Sequence, residues 1–290
     1  MIKTEAVRAF SKLIRLELSL FGAFGVIVSG LLAGDLQGFQ MEYQVAFLIV
    51  FFSAVGSFSF NDYYDLEVDR RNFRHDRPLV TGSLSRKVAS ITALLSFLSV
   101  LLLSLLLNLL AISLVLVSLP LFIFYSLGLK RMIFVKNVLI AYAYAATILF
   151  GSLVSDATVE PLIMYFAAMG LIVGIAVEVM LDISDVKGDK DLGIDTIATR
   201  FGLKTAAQVS VILYGVIMIL DPLPFFVMID PRIYLDYLFL VLILIPIAFY
   251  ILISKSLMRD QSKKSIFQLK KLIFVTMQIG SVVYLIGVLI

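Results

Sequence analysis

Nine stretches of roughly 20 mainly apolar residues run through this chain, the length a helix needs to cross a bilayer. They fall at about 14–34, 43–61, 88–107, 109–128, 134–155, 160–181, 205–228, 234–254 and 267–290. Between 88 and 128 only Asn108 marks a turn, and a run of about 40 apolar residues fits two spans joined by a tight hairpin better than one. The seventh stretch is interrupted by Asp221-Pro222-Leu223-Pro224 and is expected to end there. The chain is 61% hydrophobic and 16% charged, against about 45–50% and about 25% in soluble globular chains. That excess is spread over the whole length, which excludes a soluble domain with one anchor. The reading is an all-α polytopic membrane protein, a single membrane-embedded domain over 1–290.

The basic residues test this count. Cytoplasmic loops collect Lys and Arg. Four precede the first stretch, six follow the second, three the fourth, four the sixth and six the eighth, so 23 of the 24 fall on one side. Only Arg232 falls on the other. A wrong count would scramble that alternation. An integral protein of the cell membrane follows, with a cytoplasmic N-terminus and an external C-terminus. The first stretch is too long for a secretory signal core. With no cysteine, disulfides, thiolate metal sites and Cys nucleophiles are excluded; a single histidine, His75, leaves no His-based zinc site.

The cytoplasmic ends of the second and sixth stretches carry acidic clusters. The first reads Asn61-Asp62-Tyr63-Tyr64-Asp65-Leu66-Glu67-Val68-Asp69 and the second Asp182-Ile183-Ser184-Asp185-Val186-Lys187-Gly188-Asp189. Both contain D-x-x-D-x-x-x-D. At about 100° per residue, positions i, i+3 and i+7 share a stripe roughly 60° wide. Asp62, Asp65 and Asp69 therefore share one helix face, and Asp182, Asp185 and Asp189 another. Glu178 joins the second face, while Glu67 points away from the first. Like charges so spaced repel, and burial beside a membrane worsens the cost, so six carboxylates need cations between them. Hard oxygen ligands select Mg²⁺ or Ca²⁺, and Mg²⁺ is usually shared between one or two carboxylates and phosphate oxygens. Solvated acidic loops are the bland alternative. Two copies with one spacing, each at a helix end on the same side, weigh against it.

Arg70, Arg71, Arg74 and Arg77 follow the first cluster, and Lys130 and Arg131 end the fourth stretch. All are positioned to hold phosphate, although cytoplasmic loops are basic in any membrane protein. His75 reads as a loop residue, and Asp191 and Asp195 lie past the stripe. Arg15 suits headgroup snorkelling as well as a site.

Together these residues resemble the UbiA superfamily of intramembrane prenyltransferases. The likeness rests on N-D-x-x-D-x-x-x-D at Asn61–Asp69 and D-x-x-D-x-x-x-D at Asp182–Asp189. It also rests on Arg77-Pro78-Leu79-Val80-Thr81-Gly82, Gly193-Ile194-Asp195-Thr196 and Tyr125-Ser126-Leu127-Gly128-Leu129-Lys130-Arg131, and it covers nearly the whole chain. The resemblance implies helices around a central cavity, a cytoplasmic cap over the two motifs and two Mg²⁺ ions held by Asn61, Asp62, Asp65, Asp69, Asp182, Asp185 and Asp189. It implies that the diphosphate of a polyprenyl donor meets Lys130, Arg70, Arg71, Arg74 and Arg77. Asp65, Asp69, Asp182 and Lys130 would carry the reaction. The diphosphate leaves, an allylic cation develops, and a lipophilic acceptor attacks it. Tyr63, Tyr64, Tyr125, Tyr142 and Tyr144 are candidates to face that cation.

The local look of both motifs resembles the lipid-forming branch, which transfers geranylgeranyl to geranylgeranylglyceryl phosphate. Two departures stand out. Val177 and Leu181 occupy positions where that branch is expected to be basic, and the stretch 72–78 is about one residue longer, so that this loop shapes the acceptor pocket. Prenylation of an aromatic quinone precursor or a tetrapyrrole is the alternative within the family. A transporter is the alternative from another class, but transporters place charge near the bilayer midplane and often use inverted repeats. Here the acids end helices and the clusters lie four helices apart. A CDP-alcohol phosphotransferase is expected to carry a D-G-rich run that is absent. No nucleic-acid partner is expected.

Overall fold

The computed structural model describes residues 2–36, 40–71, 73–191 and 193–290, with side chains from residue 5 onward, and contains no strand among them. Asn72, in the long 72–78 stretch, and the side chain of Lys3 lie outside the described residues. The helices are α1 (Ile2–Leu13), α2 (Leu16–Ala33), α3 (Met41–Arg71), α4 (Arg86–Ser104), α5 (Leu109–Leu127), α6 (Val135–Asp156), α7 (Pro161–Asp191), α8 (Ile197–Phe201), α9 (Leu203–Leu220), α10 (Leu223–Phe226), α11 (Tyr237–Arg259) and α12 (Lys263–Leu289). A 3₁₀ turn, Leu129–Arg131, follows α5. Among the described residues, nine segments are long and apolar enough to span a membrane, α9 and α10 counting as one.

The expected hairpin within 88–128 is present. Asn108 caps α5 by accepting from Leu110 N and Ala111 N, and its Nδ2 donates to Leu153 O. α9 closes at Asp221 and only one further turn follows it, as the Asp-Pro-Leu-Pro segment requires.

Three boundaries need correction. The first stretch is preceded by a separate amphipathic helix, α1, which buries Ala9 and Leu13 and exposes Val7 and Phe10. The break before α2 falls at Arg15, whose φ is 45°. The second and sixth stretches, expected to end at about 61 and 181, run on, because α3 and α7 are 31 residues each and carry their acidic clusters as continuous helix. The basic residues Arg86, Lys136 and Lys190 sit on helix ends.

The chain divides into two compact units: 1–30, 34–130 and 146–158 form the first, and 31–33, 131–145 and 159–290 the second. In the first, α3 packs along α4 and touches α5. Its core gathers Val26, Tyr43, Ile49, Val100, Ala111 and Phe150. A smaller cluster of Leu13, Leu66, Leu79 and Ala89 sits at the acidic end of α3. In the second, α7 packs against α9 and α12, and α11 against α9 and α12. Tyr284 ties this unit together, donating to Asp221 O at 3.0 Å and packing edge-on to Phe239. Arg232, the odd base of the charge pattern, is held by Asp230 at 2.6 Å and donates to Leu32 O. Burial opposes ionisation of Asp230, but the Arg232 contacts prevail and hold its carboxyl below the usual range. The outward faces stay apolar, with Leu94, Leu98 and Leu102 of α4 and Val241, Leu244 and Ile245 of α11 exposed. A surface so apolar suits lipid.

Small residues let these helices approach. A Cβ on Gly151 would lie 2.6 Å from Val26 O and 2.5 Å from Ser29 Cβ, whereas one on Gly215 would meet open space. Gly151→Ala should therefore lower the thermal midpoint in detergent by roughly 3–8 °C, as overpacking costs about 1–3 kcal/mol. Gly215→Ala should leave it unchanged or slightly raised. Equal behaviour of the two variants in a melting experiment would contradict this packing.

Candidate functional site

The first acidic cluster occupies the last two and a half turns of α3. Asp62 is 1% exposed, a position that an unpaired carboxylate does not tolerate. Its Oδ1 accepts from Arg77 at 2.6 Å and from Arg15 at 3.2 Å. Arg77 Nε also lies 4.0 Å from Asp69 Oδ2. One guanidinium from the following loop thus spans the first and last carboxylates of the motif. The Arg15 guanidinium stacks 4.3 Å from the Phe58 ring. Burial, and next the like charge of Arg77, depress its pKa below the ordinary arginine value. Asp65 has its own partner: Lys130 Nζ donates to its two oxygens at 2.5 and 2.6 Å and to Asn61 Oδ1 at 3.3 Å.

The second cluster ends α7 and repeats the pattern within its own unit. Asp182 is also 1% exposed. Lys136 Nζ lies 2.6 Å from Asp182 Oδ1 and 3.6 Å from Asp189 Oδ2, again joining first and last carboxylates. Asn137 Nδ2 donates to Asp182 Oδ2 at 2.8 Å. Asp185 is exposed and accepts from Ser184 Oγ, so the Lys136 ammonium joins two of the three carboxylates.

Both helices stop in the same way. Arg74 N bonds Asp69 O at 3.0 Å and Phe73 N bonds Arg70 O at 3.2 Å; Ile194 N bonds Asp189 O at 2.8 Å and Gly193 N bonds Lys190 O at 3.2 Å. Phe73 and Gly193 hold φ of 53° and 64°. These are Schellman-type ends, and each places the last Asp of its motif three residues before the cap. Glycine accepts that conformation freely at 193, while Phe73 adopts it against its Cβ.

Of the four arginines expected on diphosphate, Arg77 pairs with Asp62 and lies near Asp69. Arg70 pairs with exposed Glu67 at 3.0 Å, Arg71 is exposed, and Arg74 forms a two-pronged pair with Asp76. Hydrogen bonds from Arg74 hold the Asp76 carboxyl down to about 2. Asp195 pairs with Arg200 at 2.8 Å. Tyr63 lies under the Arg86 guanidinium, 4.3 Å from its ring centre. Lys136 and Asn137 were missed by sequence reasoning, and Arg15 was undecided. The basic residue beside the second motif comes from α6 rather than from positions 177 or 181.

The donor chemistry suits a hard divalent ion. Each motif offers carboxylate oxygens beside an amide, and Asp62 Oδ2 and Asp189 Oδ2 are buried without a hydrogen-bond partner. Oxygens of this kind are what Mg²⁺ takes.

A family model described as the UbiA prenyltransferase family matches residues 22–278. The digeranylgeranylglyceryl phosphate synthase of Archaeoglobus fulgidus is 30% identical over 285 residues, covering 97% of this chain and 95% of that protein. The synthase of Thermococcus kodakarensis is 31% identical over 272 residues, covering 93% and 94%. A solved structure described as giving insight into digeranylgeranylglyceryl phosphate synthase in membranes matches with a TM-score of 0.78 at 24% identity, over 98% of this chain and 99% of that one. A UbiA homolog from Archaeoglobus fulgidus bound to DMAPP and Mg²⁺ matches with 0.70 at 18% identity, over 95% and 99%. The two structural matches establish the fold.

The Arg77–Asp62 contact should be measurable as a coupling. Arg77→Gln should destabilise the folded protein by on the order of 2–3 kcal/mol, because Asp62 keeps only the longer Arg15 contact. In a double-mutant cycle read by thermal melting, Asp62→Asn should recover part of that loss. Strict additivity would show that the pair carries no coupling.

Proposed function

This chain belongs to the UbiA prenyltransferase family, and from that membership we propose that it transfers a geranylgeranyl group to geranylgeranylglyceryl phosphate in membrane lipid synthesis. The observation that carries this reading is the match to digeranylgeranylglyceryl phosphate synthases over nearly the full length of both partners. The family match runs through both compact units, which supports one prenyltransferase domain over 1–290. The relative bound to DMAPP and Mg²⁺ supports the same donor class here. Bound Mg²⁺, two ions in this reading, would neutralise the diphosphate and stabilise charge growing on it. Asn61, Asp62, Asp65 and Asp69 would hold one ion, and Asp182, Asp185 and Asp189 the other.

The chain's own residues supply the remaining work. Lys130 contributes an ammonium on the Asp65–Asn61 edge of the first motif, where it neutralises a departing diphosphate oxygen. Arg77 fixes Asp62 and Asp69 in their rotamers. The C1–O bond of the donor breaks with its electron pair going to diphosphate. The acceptor's glycerol hydroxyl oxygen then forms the ether bond to C1 and gives up its proton to the released diphosphate. The apolar spans suit the prenyl tails and keep water from the cation. A polar acceptor of the quinone-precursor kind has no named relative among the matches above. The positive-inside pattern supports motifs on the cytoplasmic side and a C-terminus outside.

Purified protein given labelled geranylgeranyl diphosphate and a panel of acceptors should yield digeranylgeranylglyceryl phosphate by mass spectrometry. Selective prenylation of an aromatic acid would instead move the chain to the quinone branch. EDTA should stop turnover and Mg²⁺ restore it; metal-independent transfer would remove the carboxylates' assigned role. Asp65→Ala or Asp182→Ala should cut turnover by at least about 10²-fold, the scale of losing transition-state charge stabilisation. The same variants should remain folded in detergent.

A further inference from the structure

α6 begins with a lysine where helices disfavour one. Lys136 is its second residue, at the end where the aligned peptide dipoles present positive charge. A lysine at a membrane edge ordinarily snorkels into water, yet this side chain is only 15% exposed. Phe134, in the left-handed region at φ 65°, turns the chain just before the helix starts. The next residue, Asn137, is fully buried and bonded to Asp182. The ammonium reaches carboxylates two turns apart on α7, 2.6 Å from Asp182 and 3.6 Å from Asp189. The pair of acids offsets two unfavourable placements, at the helix start and out of water.

We propose that Lys136 is the built-in counter-ion of the second acidic motif and makes its uptake of Mg²⁺ depend on the diphosphate. The inference rests on the reading that this motif holds Mg²⁺. An ion taking oxygens of Asp182 and Asp189 displaces the ammonium or sits beside it, and either lowers its affinity. A diphosphate removes that penalty, because its oxygens give the ammonium a new anion to face. Metal and donor therefore bind with positive coupling, and linkage makes the effect reciprocal. The metal alone is held weakly, and the motif fills when the donor arrives. Lys136 is a positioning residue here, acting through the carboxylates.

The test is calorimetric titration of Mg²⁺ into EDTA-stripped full-length protein, with and without a non-reactive geranylgeranyl thiodiphosphate. Lys136→Gln should tighten Mg²⁺ binding in the absence of the donor analogue by on the order of tenfold. It should also shrink the improvement in Mg²⁺ affinity that the analogue brings. Lys136→Arg should keep the wild-type behaviour, and Lys136→Met, which keeps the apolar stem, should copy Lys136→Gln if the latter folds poorly. Asp182→Asn identifies the site by losing one ion. If Asp182→Asn loses the ion but Lys136→Gln binds Mg²⁺ no more tightly than wild type, the counter-ion role is overturned while the metal reading stands. If Asp182→Asn binds Mg²⁺ as wild type does, the motif is no metal site and both fall.

Discussion

Asp62 and Asp182 are carboxylates buried at the ends of membrane-spanning helices with a cation against each, and the two acidic motifs are organised around that pairing. Asp62 and Asp182 are both 1% exposed. Leaving either unpaired would cost several kcal/mol, since the desolvation loss is not recovered. The chain answers in the same way twice. A base from another segment, Arg77 or Lys136, spans the first and last acids of each motif. In the first motif Arg15 and Lys130 add two further cations, on Asp62 and Asp65. Surface ion pairs elsewhere, such as Arg70–Glu67 and Arg200–Asp195, contribute little by comparison because water screens them.

That requirement also explains why the helices outrun the bilayer. A loop does not hold acids at i, i+3 and i+7 in one stripe, whereas α3 and α7 do so by staying helical for 31 residues. Each then stops at a Schellman-type end that fixes the last acid's carbonyl. The small cluster of Leu13, Leu66, Leu79 and Ala89 packs at the acidic end of α3. Apolar packing and polar geometry therefore meet within a few residues, and the motif's rotamers are held from both sides. The proposed prenyl transfer would give this arrangement its use: acids that already hold cations would exchange them around a diphosphate.

The spans were legible because hydropathy and the alternation of bases along the chain are independent signals that agree. The stripe of acids was legible because spacing alone determines a helical face. What escaped reading was set by contacts distant in sequence. Lys136 pairs with residues 46 and 53 positions away, and the positive-inside tendency had already accounted for all 23 bases expected on one side alike. Arg77 was one of four equivalent arginines until the fold separated it from Arg70, Arg71 and Arg74. The end of α7 carried a visible glycine at 193, but that of α3 carried Phe73, which no turn rule favours. α1 was too short and too polar to register as a span.

The central claim is that the two acidic motifs bind the metal ions and, with Lys130, the diphosphate. Its most direct test is anomalous diffraction from crystals of this protein grown with Mn²⁺ in place of Mg²⁺ and a non-reactive geranylgeranyl thiodiphosphate. The account predicts anomalous peaks within coordination distance of carboxylates from Asp62, Asp65 or Asp69 and from Asp182, Asp185 or Asp189, with diphosphate against Lys130. Metal peaks elsewhere, or diphosphate held by Arg70, Arg71 and Arg74 away from the carboxylates, would contradict it.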